Sequence, residues 1–222
     1  MSAVAIVGGV LVLALIVYLI VYGNPAYAPG SEIPIVKGSV RGETERTESI
    51  VLPTSYNQPE GLTYSYACWV LVKDFTTGYG KRRRIFSKDD APGLFIDSTS
   101  NSLLVNINTF GAMESILVPN IPAQKWIHFA LVVDQHAVDV YINGMIREHK
   151  TLSQLPKQND SGVKIGGGWN GVLARLSYWA RSLSHGEIKK LSQAEIPDDL
   201  DRDPAKPQYF DITWYIGRLY SA

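Results

Sequence analysis

The sequence predicts an all-β fold: an antiparallel two-sheet jelly-roll sandwich preceded by one transmembrane helix. Three observations support this prediction: short runs of alternating apolar residues, an Asn-Gly pair typical of a tight hairpin, and an uncharged apolar segment near the N-terminus. With 222 residues, the chain has room for one membrane-spanning segment and one domain of ordinary size.

The apolar segment over residues 3–22 contains no charged side chain. A helix of this length, at about 1.5 Å per residue, spans about 30 Å, which is the hydrocarbon thickness of a bilayer. A cleaved signal peptide is the alternative, because residues 26–28 (AYA) resemble a cleavage site. The long apolar core and the absence of a preceding basic residue favour an uncleaved anchor over residues 1–23. Lys37 and Arg41 follow it, so we expect a translocated N-terminus and a cytosolic domain.

Residues 24–47 are predicted to form an extended linker. They contain three prolines and three glycines and show no sustained hydrophobic period. Such a segment either sets the domain away from the bilayer or lies along the domain as an arm.

The segment from residue 48 to residue 193 predicts the sandwich itself. Its β runs are ESIVL, GLTYSYACWVLVK, RRIFSK, GLFID, SLLVNIN, ESILV, WIHFALVVD, AVDVYI, MIREHKT and GVLARLSYWA. Turn residues separate these runs at short intervals, which favours a sandwich over βαβ units. Asn143 and Gly144 both tolerate positive φ and predict a two-residue hairpin turn. Ser184, with Glu187 three residues later, predicts a capped helix over residues 184–193.

Two segments, QKWIHFALVVDQHAVDVYINGM and VKIGGGWNGVLARLSYWARSLSHGEIKKL, resemble the laminin-G-like group of the concanavalin A-like lectin/glucanase superfamily. The residues that carry the resemblance are Trp126, His128, Ala130, Tyr141, Asn143, Gly144, Gly171, Leu183, Ser184, Glu187 and Ile188. The resemblance implies a jelly-roll sandwich, but the superfamily includes lectins, adhesion modules, hydrolases and structural domains. Many relatives carry an acidic residue just after the glycine, where this chain has residues 172–174, VLA. The resemblance also allows calcium, held by loop carboxylates that the sequence does not single out; no other cofactor is expected.

The acidic and histidine residues show no catalytic or metal-binding pattern. A glycoside hydrolase needs two carboxylates about 5–9.5 Å apart, whereas Glu114 and Asp139 are isolated and Asp134 falls at a turn. The histidines are scattered, and His128 is expected to pack within a sheet. We therefore expect no enzyme activity, no catalytic residue and no metal ligand. The single cysteine, Cys68, excludes an internal disulfide and favours a reducing compartment.

Two segments are candidate contact surfaces. Lys81, Arg82, Arg83 and Arg84 follow a glycine-containing loop and would contact an anionic partner: phosphate head groups, an anionic glycan or an acidic protein. The alternative is a solvated strand edge whose charges prevent aggregation. Residues 194–222 form a tail that is first rich in Pro and Asp and then aromatic. Its candidate docking residues, which would pack on the sandwich or on another chain, are Phe210, Ile212, Trp214, Tyr215, Ile216, Leu219 and Tyr220.

These features together indicate a non-enzymatic, membrane-anchored structural or binding protein that links a bilayer to a protein assembly. The resemblance to anchored virion proteins suggests a minor capsid component of a large DNA virus, placed between the inner membrane and the capsid proteins. The alternative is a surface carbohydrate-binding lectin or adhesion module with a glycan partner, and a degenerate glycoside hydrolase is third. The charge balance of 21 basic and 21 acidic residues gives no reason to expect a nucleic acid partner.

Overall fold

A computed structural model describes residues 11–14, 30–55, 62–198 and 200 of the chain. Residues 11–14 are helical, and the rest of the predicted anchor lies outside the described residues. Within those described ranges, no helix is both long and apolar enough to span a bilayer. The aromatic part of the tail, residues 209–220, also lies outside the described residues.

The described residues form a sandwich of two antiparallel sheets, which confirms the sandwich part of the predicted fold class. Its strands are β1 Ile33–Pro34, β2 Ser39–Arg41, β3 Arg46–Glu48, β4 Thr63–Val72, β5 Arg83–Ser87, β6 Gly93–Ile96, β7 Leu103–Ile107, β8 Glu114–Val118, β9 Trp126–Asp134, β10 Ala137–Ile142, β11 Met145–Thr151, β12 Val163–Ile165 and β13 Gly171–Trp179, followed by helix α1 His185–Ser192. The seven-stranded sheet has the order β1-β13-β4-β9-β10-β11, with β2 also paired to β13. The six-stranded sheet has the order β3-β12-β5-β6-β7-β8.

The sandwich starts earlier than the sequence predicts. Ile33 pairs with Tyr178 and Val40 pairs with Leu173 within the seven-stranded sheet, and Thr47 pairs with Lys164 within the six-stranded sheet. The predicted linker boundary at residue 48 is therefore too late, and residues 33–47 lie along the domain as an arm. These strands are only two or three residues long, and β1 and β2 contain or adjoin Pro or Gly, so they show no alternating pattern of their own.

The core lies between the two sheets, and β4 is central to it. The inward face of β4 carries Tyr64, Tyr66, Cys68, Val70 and Val72, all of them almost completely buried. Burial raises the pKa of the Cys68 thiol, so this side chain acts as a small apolar core residue, as predicted. All ten residues of β4 are buried and none carries a charge, which avoids the cost of placing an unpaired charge in the interior.

The β10–β11 hairpin confirms the Asn-Gly prediction. Asn143 and Gly144 have φ values of 52° and 79°, which a tight turn of the favoured hand requires. The Asn143 side-chain Oδ1 accepts a hydrogen bond from the His128 backbone N–H at 2.9 Å, which ties the turn to β9.

Helix α1 covers the outer face of the seven-stranded sheet. Ser184 accepts a hydrogen bond from the Glu187 backbone N–H, and the Glu187 carboxylate accepts one from Ser184, so the predicted capping box is present. Ile188 is fully buried and packs against Ala67 and Trp179 of the sheet. Among the described residues, the helix contacts β9 of the seven-stranded sheet, and no helix covers the six-stranded sheet.

Candidate functional site

A groove of about 640 Å³ lies on the outer face of the six-stranded sheet. Its walls come from the segment before β3, from β5 and β6 with the turn between them, from β12, and from the glycine loop that follows β12. A volume of this size is typical of sites for small molecules or a few sugar units.

The register of the strands places the outward-facing residues of the six-stranded sheet in two rows that cross the sheet next to the groove. One row runs across the sheet through Arg84, Phe95, Leu104 and Leu117, and it is largely apolar. The neighbouring row is largely polar and consists of Lys164, Ser87, Gly93, Asn106 and Ser115. Because paired residues of antiparallel strands share a face, an apolar row and a polar row lie side by side on the outer side of the sheet, where Phe95, Ser87 and Asn106 are almost completely buried.

Arg82 is held in a fixed position at the centre of the groove. Its guanidinium carbon lies 3.6 Å from the centre of the Phe95 ring. Its Nη2 donates to both carboxylate oxygens of Asp90, each at 2.8 Å. A Cβ atom on Gly93 would lie 2.6 Å from the Asp90 carboxylate and 2.5 Å from the Phe95 ring, so only glycine leaves room for this arrangement. Stacking and ion pairing together place the planar guanidinium before any ligand arrives.

A second ion pair closes the opposite wall of the groove. Arg84 Nη1 lies 2.8 Å from Glu45 Oε1. Across the whole groove, three cationic side chains (Arg82, Arg84 and Lys164) face four carboxylates (Glu43, Glu45, Asp89 and Asp90). The charges nearly cancel, so the groove offers hydrogen-bond donors and acceptors without a strong net field.

The structure separates the four cations that the sequence groups together. Lys81 is exposed, and Arg82 and Arg84 point into the groove. Arg83 turns the other way: it is 1% exposed, and its guanidinium donates to the backbone carbonyls of Phe75, Thr77 and Asp97. The prediction that Arg83 contacts a partner is therefore wrong, because the alternation along β5 directs its side chain inward.

Several groove residues are absent from the sequence-predicted site. Phe95, Asp90, Glu45 and Lys164 come from four different segments, and none of them belongs to a recognisable local motif. The one available signal is the basic run itself, which marks one wall of the groove. The candidate docking residues of the tail, 210–220, lie outside the described residues.

Metal binding has no site among the described residues, since no three His, Cys, Asp or Glu side chains lie close enough together to hold an ion. His128, expected to pack in a sheet, does so: it is 2% exposed and its ring lies 5.2 Å from that of Trp69. Calcium stays an unassigned expectation from the resemblance.

Comparison with known proteins identifies structures with a similar fold. No curated protein sequence matches the chain. The receptor-binding domain of botulinum neurotoxin D is similar in structure, with a TM-score of 0.58 and 10% identity over 73% of this chain and 47% of that one. The binding domain of Paraclostridial mosquitocidal protein 1 is also similar, with a TM-score of 0.51 and 17% identity over 73% of this chain and 47% of that one.

A third similar structure is the ligand-binding domain of botulinum neurotoxin serotype D in complex with N-acetylneuraminic acid, with a TM-score of 0.57 and 10% identity over 73% of this chain and 45% of that one. The chain thus spans about half the length of these solved domains, and at such identities the likeness shows the fold alone. A family model, however, matches residues 44–189 directly. The chain therefore belongs to the Laminin_G_3 family of the concanavalin A-like lectin/glucanases superfamily.

Proposed function

We propose that the chain is a non-enzymatic carbohydrate-binding protein whose groove on the six-stranded sheet binds a neutral glycan. The observation that carries this proposal is the Arg82–Asp90–Phe95 arrangement, held in place beside an apolar row in a groove whose charges nearly cancel.

The chemistry of a sugar fits this surface. A pyranose has a ring face of C–H groups and an edge of hydroxyl groups that both donate and accept hydrogen bonds. Leu104 and Leu117 suit the C–H face, and Leu117 is 48% exposed. Phe95 is only 3% exposed beneath Arg82, so it supports the guanidinium and does not stack on the sugar itself. The guanidinium of Arg82 and the carboxylate of Asp90 offer donors and acceptors to the hydroxyl edge.

The same geometry argues against the other ligand classes. A phosphate or sulfate would need an excess of unpaired cations, but Arg82 and Arg84 are already paired with Asp90 and Glu45. Glycoside hydrolysis would need two carboxylates free to reach the glycosidic bond, and two of the four that line the groove, Asp90 and Glu45, are engaged by guanidinium groups.

The similar structures support a binding role in general terms. Those solved domains are described as receptor-binding or ligand-binding, and one is in complex with N-acetylneuraminic acid. This chain aligns with 45% of the chain in that complex, so the support is general, and the balanced groove of this chain favours a neutral sugar over a carboxylated one.

A glycan array tests the proposal. Wild-type protein is compared with Arg82→Gln and Phe95→Ala, and Lys189→Gln on helix α1 is the matched control. Losing a hydrogen bond to a charged group costs about 1.5–3 kcal/mol, so Arg82→Gln should weaken binding about 10- to 100-fold. Lys189→Gln should bind as wild type does. An array without hits, or hits that Arg82→Gln leaves unchanged, would reject the proposal.

A second candidate is a membrane-anchored structural protein that links a bilayer to an assembly such as a capsid. The uncharged run over residues 3–22 favours it. The aromatic tail, with Trp214, would then supply the protein contact. Deleting residues 3–22 should abolish flotation with membranes and leave the sandwich folded, because strand pairing starts at Ile33. Unchanged flotation of the deleted chain would remove the anchor from the account.

A further inference from the structure

A buried amine faces a carboxamide at one end of the six-stranded sheet. Lys88 directly follows β5 and is only 5% exposed. Its Nζ donates to Asn159 Oδ1 at 3.1 Å and also to the Asn159 backbone carbonyl. In return, Asn159 Nδ2 donates to the Lys88 carbonyl at 2.8 Å. These reciprocal hydrogen bonds hold together two side chains that are 71 residues apart in sequence.

The surroundings of Lys88 make its amine easier to deprotonate than that of an exposed lysine. A cavity of about 20 Å³ adjoins it, with room for roughly one water molecule, and Leu52, Ala91 and Tyr178 line its walls. Burial lowers the pKa of Lys88, and the charge of Asp160 opposes that effect in part. A lysine that is neutral for a larger fraction of the time is a better nucleophile.

The Asn159 carboxamide is positioned as an electrophile. The backbone N–H of Ser161 donates to Asn159 Oδ1 at 3.1 Å and would stabilise negative charge that develops on that oxygen. Asp160 is exposed, lines the same cavity as Lys88 and Asn159, and lies near enough for its charge to act on the Lys88 amine, so it can carry a proton. A nucleophile, an electrophile, an oxyanion donor and a proton carrier thus meet at one place.

We propose that Lys88 and Asn159 form an intramolecular amide crosslink. After a small rotation of the lysine side chain, neutral Nζ attacks Asn159 Cγ, and a new C–N bond forms. Asp160 accepts a proton from Nζ and passes it to Nδ2. The Cγ–Nδ2 bond then breaks and ammonia leaves. One lysine amine and one carboxamide become one secondary amide and one ammonia, and nothing is oxidised or reduced.

The crosslink would join the end of β5 to the loop before β12, two strands that pair directly. It would fix the turn that carries Asp89 and Asp90 at the rim of the groove. It also assigns a role to the Asn-Asp-Ser sequence at residues 159–161, which otherwise matches an N-glycosylation acceptor. The nitrogen that would carry a glycan is the one that leaves as ammonia.

Mass spectrometry of the purified full chain tests this inference. The intact mass should fall short of the sequence mass by one ammonia, and trypsin should release a branched peptide that joins Lys88 to Asn159. Asn159→Ala and Lys88→Arg should restore the full sequence mass, whereas Lys157→Arg, a lysine two residues from Asn159, should not. Asp160→Asn should slow the appearance of the branched peptide at least tenfold.

Three results would overturn the inference. The first is a folded wild-type chain of unreduced mass. The second is a glycan or a deamidated side chain at Asn159. The third is loss of ammonia with Lys88 still cleaved by trypsin, because that pattern indicates a succinimide between Asn159 and Asp160. Should Lys88→Arg fail to fold, Asn159→Ala and the wild-type peptide map still decide the question.

Discussion

Arg83 and Lys81 belong to one basic run, yet the structure predicts opposite consequences when each is replaced by methionine. Arg83 is buried and its guanidinium donates to the carbonyls of Phe75 and Thr77 at 2.8 and 3.0 Å, and to that of Asp97. Lys81 is exposed. Arg83→Met should therefore loosen the loop before β5 and the loop after β6, while Lys81→Met should change little.

The magnitude follows from the hydrogen bonds that are lost. Each bond from a charged donor contributes about 1.5–3 kcal/mol, and water can rehydrate part of the freed loop carbonyls, so the loss for Arg83→Met is about 3 kcal/mol. For a domain of this size, that loss lowers the thermal midpoint by about 6–12 °C. Lys81→Met should stay within about 0.5 kcal/mol of wild type, as exposed substitutions usually do.

Urea unfolding followed by tryptophan fluorescence measures both variants against wild type. The expected result is a lower midpoint for Arg83→Met at unchanged slope, with Lys81→Met overlaying the wild-type curve. Equal midpoints for the two variants would refute the assignment of Arg83 as a buried tie between loops.

Three further predictions follow from other parts of the fold. Burial lowers the pKa of His128 from its ordinary value of 6.5 to about 4, so only the unfolded chain gains a proton between these values. Through His128 alone, stability should thus fall by up to about 3 kcal/mol as pH drops through this window, and carboxylates with a lowered pKa, such as Glu187, continue the loss below it. His128→Phe should make the urea midpoint depend less on pH within the window, and a pH profile that this variant leaves unchanged would contradict the burial argument. Ser184→Ala removes the cap of α1 and should cost about 1 kcal/mol in urea unfolding, against no change for Ser192→Ala near the helix end. Gly93→Ala should displace Asp90 from Arg82 and weaken glycan binding at least tenfold, as measured by calorimetry. The near-ultraviolet circular dichroism of this variant should stay native. Wild-type affinity would show that the ion pair is not needed for binding.

The long strands could be predicted from the sequence because each has enough residues to show its own pattern. In β4 and β9, alternation marks the inner and outer faces, and Asn143-Gly144 fixes the hairpin between β10 and β11. Strands β1 to β3 could not be predicted, since they are short and are stabilised by pairing with β13 and β12 far away in the chain.

The groove depends on long-range pairing even more strongly. Phe95 and Arg84 come together only through the β5–β6 register, and Glu45 reaches Arg84 from the segment before β3. The basic run indicated one wall of the groove, but it did not indicate which of its side chains face the groove. An extended strand directs alternate side chains to opposite faces, so Arg83 lies in the interior while its two neighbours line the groove.

An NMR titration of the isotopically labelled protein with a neutral oligosaccharide selected on the array tests the binding groove most directly. The account predicts saturable shifts of the Gly93, Phe95 and Gly167 amides and of the Arg82 side-chain Nε–H, with the amides of α1 unchanged. Shifts that cluster on α1 and the β10–β11 turn, or no saturable shift at all, would contradict the assignment of the groove as the binding site.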